Sequence, residues 1–375
     1  MWIEQILLGW LALELTDSPW MVALWGFFRS APCLVGFFTP VLTDRFPRKE
    51  LLLTMQGILV AGFLLLASLY WFGVLSYWHL IAVSVVNGVV FTVDWPTRRA
   101  MIPDLVGRER AIDGILFENG AAGLGLVLGP ILGGMLLQKT NAAVVLVVIA
   151  VLLAGASVLL LKIRTASRAP EDPDDSMSVW LRLVEGLRYI RKLPRVYSIL
   201  IATIFMNAWV FTFFPLLSVF ARDILGRSEQ DLGVMAGSYG LGALIGLCFV
   251  HHARRLCSDY AVLAGSCVLT CVVILGFSMS SFYSLSLVFL FLGGVGQAGF
   301  TSMQSGIILR DVSEEMRGRA MATLVLVIGA GPLGGLQSTV MVAWLGAPAT
   351  VAILSASALL AVAFVFILLD SRGEE

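Results

Sequence analysis

Apolar residues gather along this chain in long runs, separated by short polar clusters, with little alternation inside each run. Leu51–Phe72, Ala142–Leu161 and Val351–Leu369 are near-continuous apolar stretches of about 20 residues, the length at which a helix crosses a hydrocarbon core. A membrane β-barrel would instead show short alternating segments. Runs and breaks together predict twelve helical segments: 1–15, 19–43, 50–72, 76–97, 112–137, 141–163, 195–220, 230–250, 259–281, 283–308, 317–345 and 348–369. The first is too short to cross alone. Met1 falls inside an apolar stretch with no basic front end, so the expectation is that the first helix begins upstream of this sequence.

The polar breaks differ in charge. One set holds Arg45, Arg48 and Lys49; Arg98, Arg99, Arg108 and Arg110; Arg254 and Arg255; and Arg310, Arg317 and Arg319. The long central break carries seven more basic residues, from Arg164 to Arg195, whereas the opposite set holds Lys139, Arg222 and Arg227. Basic residues stay on the cytoplasmic side, so the first set and both termini are expected there. The central break opens as an acidic, proline-bearing stretch (Ala169–Asp175) and continues as Val179–Leu193. There Leu183, Leu187 and Ile190 recur at helical spacing beside Arg182, Arg188 and Arg191. That pattern predicts a helix lying at the inner membrane surface. The expected organisation is an N-terminal bundle over 1–163 with an incomplete first helix, a cytoplasmic linker over 164–194, and a C-terminal bundle over 195–375.

Composition agrees with lipid as the solvent: 58% of residues are apolar and 13% charged, with a mean hydropathy of +0.91. Zero net charge argues against a nucleic-acid partner. Five cysteines, most inside apolar runs (Cys33, Cys248, Cys267, Cys271), suit small core residues better than a disulfide framework. His79, His251 and His252 stand at segment ends without companion ligands, so no metal is expected. The glycine-rich stretch 120–134 lacks a Gly-Lys-Ser/Thr ending and lies within an apolar helix, which excludes a phosphate cradle. No cofactor and no enzymatic centre are expected.

Three patterns carry a family resemblance. Asp44-Arg45-Phe46-Pro47-Arg48-Lys49 resembles the loop signature of the major facilitator superfamily, with Pro40 and Pro47 standing where that signature has glycines. Gly125-x-x-x-Gly129-Pro130-x-x-Gly133-Gly134 is similar to the glycine–proline motif of the superfamily's antiporters, and Gly331-Pro332-x-Gly334-Gly335 matches it in segment eleven. Glycines four residues apart clear one helix face for a neighbour, and the adjacent proline permits a bend. Finally, Glu14–Pro19, Asp94-x-Pro96-x-Arg98, 102–110, Gly186–Tyr189 and Met316–Arg319 resemble the exporter branch that includes enterobactin-exporter-like proteins. The resemblance implies an all-α polytopic membrane protein with the major facilitator fold, two six-helix bundles enclosing a substrate cavity. It implies export of small amphipathic or lipophilic molecules of drug or siderophore type, by proton antiport and alternating access. It further implies a monomer in the plasma membrane whose partners are the substrate, protons and the bilayer. Two other readings stand beside it: an uncoupled facilitator or importer, and a non-transporting sensor that keeps the fold.

Charges at membrane depth need a reason, because each is costly there. Glu4 lies 13 residues before Asp17 in the first turn and Arg29 lies 12 after it, which places both roughly 18–20 Å below that turn. The two are expected to face each other or a shared polar cavity, as a coupling pair or as a static ion pair. Glu118 in segment five is a third candidate for proton coupling, or else the partner of a basic loop residue. The resemblance implies a gate latch of Asp44, Arg48 and Asp94. In the second half, Asn207, Gln297, Thr301 and Gln304, with Phe211 and Phe214, are candidates for a substrate cavity; the alternative for them is interhelical bonding and core packing. Trp71, Tyr77 and Trp78 read as interface anchors.

Overall fold

The computed structural model describes residues 2–38, 46–107, 110–163 and 179–370. Its helices are α1 (Trp2–Thr16), α2 (Pro19–Ser30, continued by tighter 3-10 turns over Ala31–Phe38), α3 (Arg48–Trp71), α4 (Tyr77–Val106), α5 (Ala111–Lys139) and α6 (Ala142–Lys162). The linker helix Val179–Ile190 follows. Then come α7 (Pro194–Ile224), α8 (Glu229–Ala253), α9 (Asp259–Met279) and α10 (Tyr283–Asp311). Last are α11 (Glu314–Ile328, resuming at Gly331 after a turn at Gly329 and Ala330) and α12, which runs to Asp370; the two are separated at Gly346, whose φ of 77° no other residue type adopts readily. Among the described residues, nine helical stretches are long and apolar enough to cross a membrane, α11 and α12 counting as one. With 15 residues, α1 falls short of that length.

The helix ends follow from local chemistry. Asp17 turns the chain between α1 and α2 at a φ of 48°, a left-handed conformation that short polar side chains tolerate. Pro19 then starts α2, where its missing N–H has no helical partner to lose. Asn141 caps α6 by accepting from the Val144 N–H, Ser228 and Asp231 form a reciprocal capping box on α8, and Ser258 caps α9. At the far end of α6, the Lys49 Nζ donates to the Leu161 and Ile163 carbonyls at 3.0 and 2.7 Å, answering the negative pole of that helix.

The bundle is largely apolar inside and out. Trp25, Phe63, Phe213, Phe220, Phe277 and Phe300 are fully buried. Val151, Leu159, Leu360 and Phe364 stand more than half exposed, an outer surface that only lipid can cover. Within the first six helices α3 packs on α6. Within the last six, α10 packs on both α8 and α9. Between the two sets, α5 lies along α8 and α2 along α11.

The structure corrects some expectations and adds to others. Arg98 and Arg99 belong to α4, which runs on to Val106; no loop begins there. The linker helix docks on α11: Glu185 pairs with Arg319 at 2.7 Å, and Gly186 is buried so closely that a Cβ would stand 2.8 Å from the Arg319 carbonyl. Tyr77 is buried, its hydroxyl donating to the Met21 carbonyl at 2.9 Å, so it ties α4 to α2, while Trp71 and Trp78 are exposed. Cys267 and Cys271 are core residues, whereas Cys248 and Cys257 are exposed. Segment seven is no plain helix. Wide π-type turns at Met206–Val210 and Phe220–Ile224 flank 3-10 turns at Phe211–Leu216, where Pro215 has no N–H to donate.

Candidate functional site

Glu4 on α1 and Arg29 on α2 meet inside the first six helices. Arg29 donates from Nη2 and Nε to Glu4 Oε1 at 2.8 and 3.2 Å. Glu4 is 2% exposed, and the Arg29 side chain is 19% exposed. Both ions therefore forgo most of their hydration, a penalty of several kcal/mol per ion that only close pairing offsets. On α4, the buried Asn87 faces the same carboxylate. Its Nδ2 falls short of hydrogen-bond geometry with any described residue. Gly88 brings Asn87 this close: a Cβ there would fall on the Arg29 backbone carbonyl. One turn away, the Trp25 indole donates to Ser84 at 2.7 Å, a second buried link between α2 and α4.

The glycines of α5 serve two neighbours. Gly125, Gly129 and Gly133 face Trp2 and Ile3 of α1. Gly134 turns to α8, where its Cβ would lie in the Glu229 carbonyl and against Gly233, and a Cβ on Gly233 would collide with the Pro130 carbonyl. The motif thus removes side chains from two faces, and it brings backbone of the first six helices against backbone of the last six.

A second contact joins the two sets at the same end. Arg222, near the end of α7, donates Nη2 to Asp17 Oδ1 at 2.5 Å and Nη1 to the Leu13 carbonyl at 3.3 Å. Its Nε is held by Asp223 at 2.7 Å.

At the arginine-rich end, Asp94 takes both Nε and Nη2 of Arg98, at 2.8 and 3.0 Å, within its own helix. Asp44 lies outside the described residues, and Arg48 opens α3. Glu118 accepts from Arg99 Nε at 3.2 Å. That guanidinium also binds Asn119 and stacks 4.2 Å over the Trp95 ring. The partner of Glu118 is thus a helical arginine rather than a loop residue, and the carboxylate is partly exposed.

The cavity candidates of the second half differ in exposure. Gln304 is 3% exposed and donates to Thr203 Oγ1 at 2.9 Å, joining α10 to α7 within the core, the interhelical bonding that was its alternative. Thr301 is exposed and bonds back to the Gln297 carbonyl at 2.9 Å. Asn207 donates to the Thr203 carbonyl at 3.0 Å. Phe211 packs on Phe300 with ring centres 5.8 Å apart. Phe214 sits between Trp2 of α1 and Tyr239 of α8, at 6.3 and 5.9 Å, an aromatic contact across the two sets of helices. The Tyr239 hydroxyl is buried there without a hydrogen-bond partner among the described residues.

Asn87, Arg222 and Tyr239 are absent from the sequence-derived candidates. Asn87 left one trace, an amide in mid-helix. Arg222 and Tyr239 left none, because their partners are more than a hundred residues away or in another helix.

Comparison with known proteins agrees with this architecture. The chain matches the transmembrane secretion effector family over residues 1–374. It is 20% identical to the staphyloferrin A transporter of Staphylococcus aureus over 342 residues, 90% of this chain and 85% of that one. It is 24% identical to the enterobactin exporter of Salmonella choleraesuis over 331 residues, 86% of this chain and 78% of that one. Two solved transporters share the fold. A nucleoside transporter superposes with a TM-score of 0.72 at 13% identity, over 98% of this chain and 97% of its own. A D-xylose–proton symporter gives 0.69 at 12% identity, over 97% and 95%. A chain of lipid-exposed helices, closed at one end by backbone contacts between its two sets, and matched over its whole length, is a multi-pass membrane transporter: it belongs to the transmembrane secretion effector family of the major facilitator superfamily.

Proposed function

We propose that this transporter exports a small amphipathic or lipophilic molecule of drug or siderophore type by alternating access, coupled to inward proton movement. The observation that carries the coupling is the Glu4–Arg29 pair, a proton-binding carboxylate held against a guanidinium in the buried interior of the first six helices. Adding a proton to Glu4 cancels its charge and leaves Arg29 a buried cation. The pair is thereby stable in only one protonation state at a time. In this scheme the carrier returns with Glu4 protonated once substrate has left, and gives the proton up inside. The substrate class draws support from the two named relatives, one an enterobactin exporter and the other a staphyloferrin A transporter.

The arginine-rich end is assigned to the cytoplasm because basic residues resist translocation, which puts both termini inside and the Arg222 contact outside. With that end closed here, the conformation corresponds to a carrier shut toward the exterior. The turn bearing Asp44 and Arg48, with Asp94, would form the opposing latch. Asp94 would then have to leave Arg98 when the inner end closes.

The test is efflux of a fluorescent lipophilic substrate from proteoliposomes under an imposed pH gradient. Wild-type protein should concentrate substrate against its gradient and lose that ability with a proton ionophore. Glu4→Gln should abolish gradient-driven transport while keeping substrate exchange. Full gradient-driven transport by Glu4→Gln removes Glu4 from the coupling. Wild-type efflux unchanged by the ionophore replaces antiport with facilitated passage.

A further inference from the structure

Away from the paths described so far, a cavity of about 930 Å³ opens at the arginine-rich end of the last six helices, near the upper bound of ligand pockets, which span roughly 300–1,000 Å³. Its lining comes from one level of the bundle: the start of α7 (Arg195), the turn after α8 (Arg254), the start of α9 (Asp259), and the ends of α10 (Arg310) and α12 (Phe366). One part of the wall is charged and the other is apolar.

The charges do not balance. Arg254 Nε binds Asp259 Oδ1 at 2.7 Å, and Arg310 Nη1 binds Asp259 Oδ2 at 2.6 Å. Arg310 also holds Asp311 at 2.8 Å. Both acids of the cavity are thus occupied by two of its three arginines. Arg195 is exposed and has no acidic partner among the described residues. It leaves a positive charge facing the opening. The other wall is formed by Phe366, Ile367 and Ala264, with Ile367 72% exposed on the outer surface of the bundle. A ligand seated here meets guanidinium groups at the membrane boundary and an apolar path that continues into the lipid-facing surface.

We propose that this cavity binds an acidic phospholipid, its headgroup phosphate against Arg195 and the exposed sides of Arg254 and Arg310, and an acyl chain along Phe366 and Ile367. Basic pockets between spanning helices are where acidic headgroups bind, and a guanidinium matches phosphate in two-pronged geometry. A free phosphate satisfies the arginines alone; a lipid also uses the apolar wall.

The experiment measures lipid retained by the purified full-length protein after detergent exchange, by native mass spectrometry, from nanodiscs containing phosphatidylglycerol and phosphatidylcholine. Wild-type protein should retain phosphatidylglycerol in preference to phosphatidylcholine. Arg195→Gln, which breaks no ion pair, should lower that retention about fivefold. Ala264→Phe should lower it by narrowing the apolar wall without touching a charge, and Arg227→Gln at the opposite end should leave it unchanged. Equal retention of both lipids by wild-type protein overturns the proposal. Retention insensitive to both Arg195→Gln and Ala264→Phe overturns it as well. Displacement of the lipid by millimolar inorganic phosphate alone, with Ala264→Phe inert, overturns the lipid assignment in favour of a free-anion site. None of these readouts depends on transport, so they stand or fall apart from the coupling scheme.

Discussion

Removing Arg222 should loosen the end at which the two sets of helices are joined, and the structure gives the size of the effect. Of the three bonds Arg222 makes, the one to Asp223 stays within α7 and survives opening. The bonds to Asp17 and to the Leu13 carbonyl cross to α1 and its turn. Asp17 is 87% exposed, so its ion pair lies in the range measured for surface pairs, about 0.2–1 kcal/mol. The bond to Leu13, at 3.3 Å, is long for a charged donor and adds about 1 kcal/mol. Together these give about 1–2 kcal/mol in favour of the closed end, a factor of roughly 5–30 in the closed-to-open ratio. Spin labels at Val74 and Ser281, which lie in turns of the two sets at this end, report the separation by pulsed electron resonance in a cysteine-free background. Arg222→Ala should add or enlarge a long-distance population by that factor. Asp17→Asn, which keeps a residue tolerant of the left-handed turn, should produce the smaller share. The double variant should change little beyond Arg222→Ala alone, since the two groups share one interaction. Arg227→Ala, whose guanidinium stacks on Tyr283 within the last six helices, should leave the distances unchanged. Distances in Arg222→Ala indistinguishable from wild type, or full additivity with Asp17→Asn, would refute the reasoning.

Three further outcomes follow from the packing. Gly134→Ala forces a Cβ into the Glu229 carbonyl, so α5 and α8 must separate. Overpacking of about 1–3 kcal/mol should appear as a lower thermal midpoint in detergent and a wider separation in the same distance assay; a wild-type midpoint would show the contact to be slack. Gln304→Leu removes one interhelical bond inside the core, worth about 0.6 kcal/mol. It should lower stability slightly and leave substrate affinity alone, and a selective change in affinity would return Gln304 to a substrate cavity. Tyr77→Phe deletes the bond to the Met21 carbonyl and should cost about 1 kcal/mol in unfolding free energy, whereas an interface anchor would tolerate the change.

The sequence by itself determined the solvent, the segments and their grouping of charge. Runs of apolar residues near 20 long have one stable outcome in lipid, a helix with every backbone group bonded internally, so twelve segments could be read with ends misplaced by a few residues. The depth of Glu4 and Arg29 was legible for the same reason, because helix rise is fixed and the turn at Asp17 is short. Glycine spacing on α5 announced a close neighbour but not which one. Partnership between helices depends on side-chain shapes from distant parts of the chain, and only tertiary structure decided that Gly134 meets Gly233 while Gly129 meets Trp2. The same limit hid the reach of Arg222 to Asp17, the fate of Gln304 in a Thr203 bond, and the docking of Gly186 on α11. Tyr77 shows the point on one residue: its aromatic ring at a segment end fits a membrane interface by composition, yet the Met21 carbonyl on α2 gives its hydroxyl a partner, and it is buried.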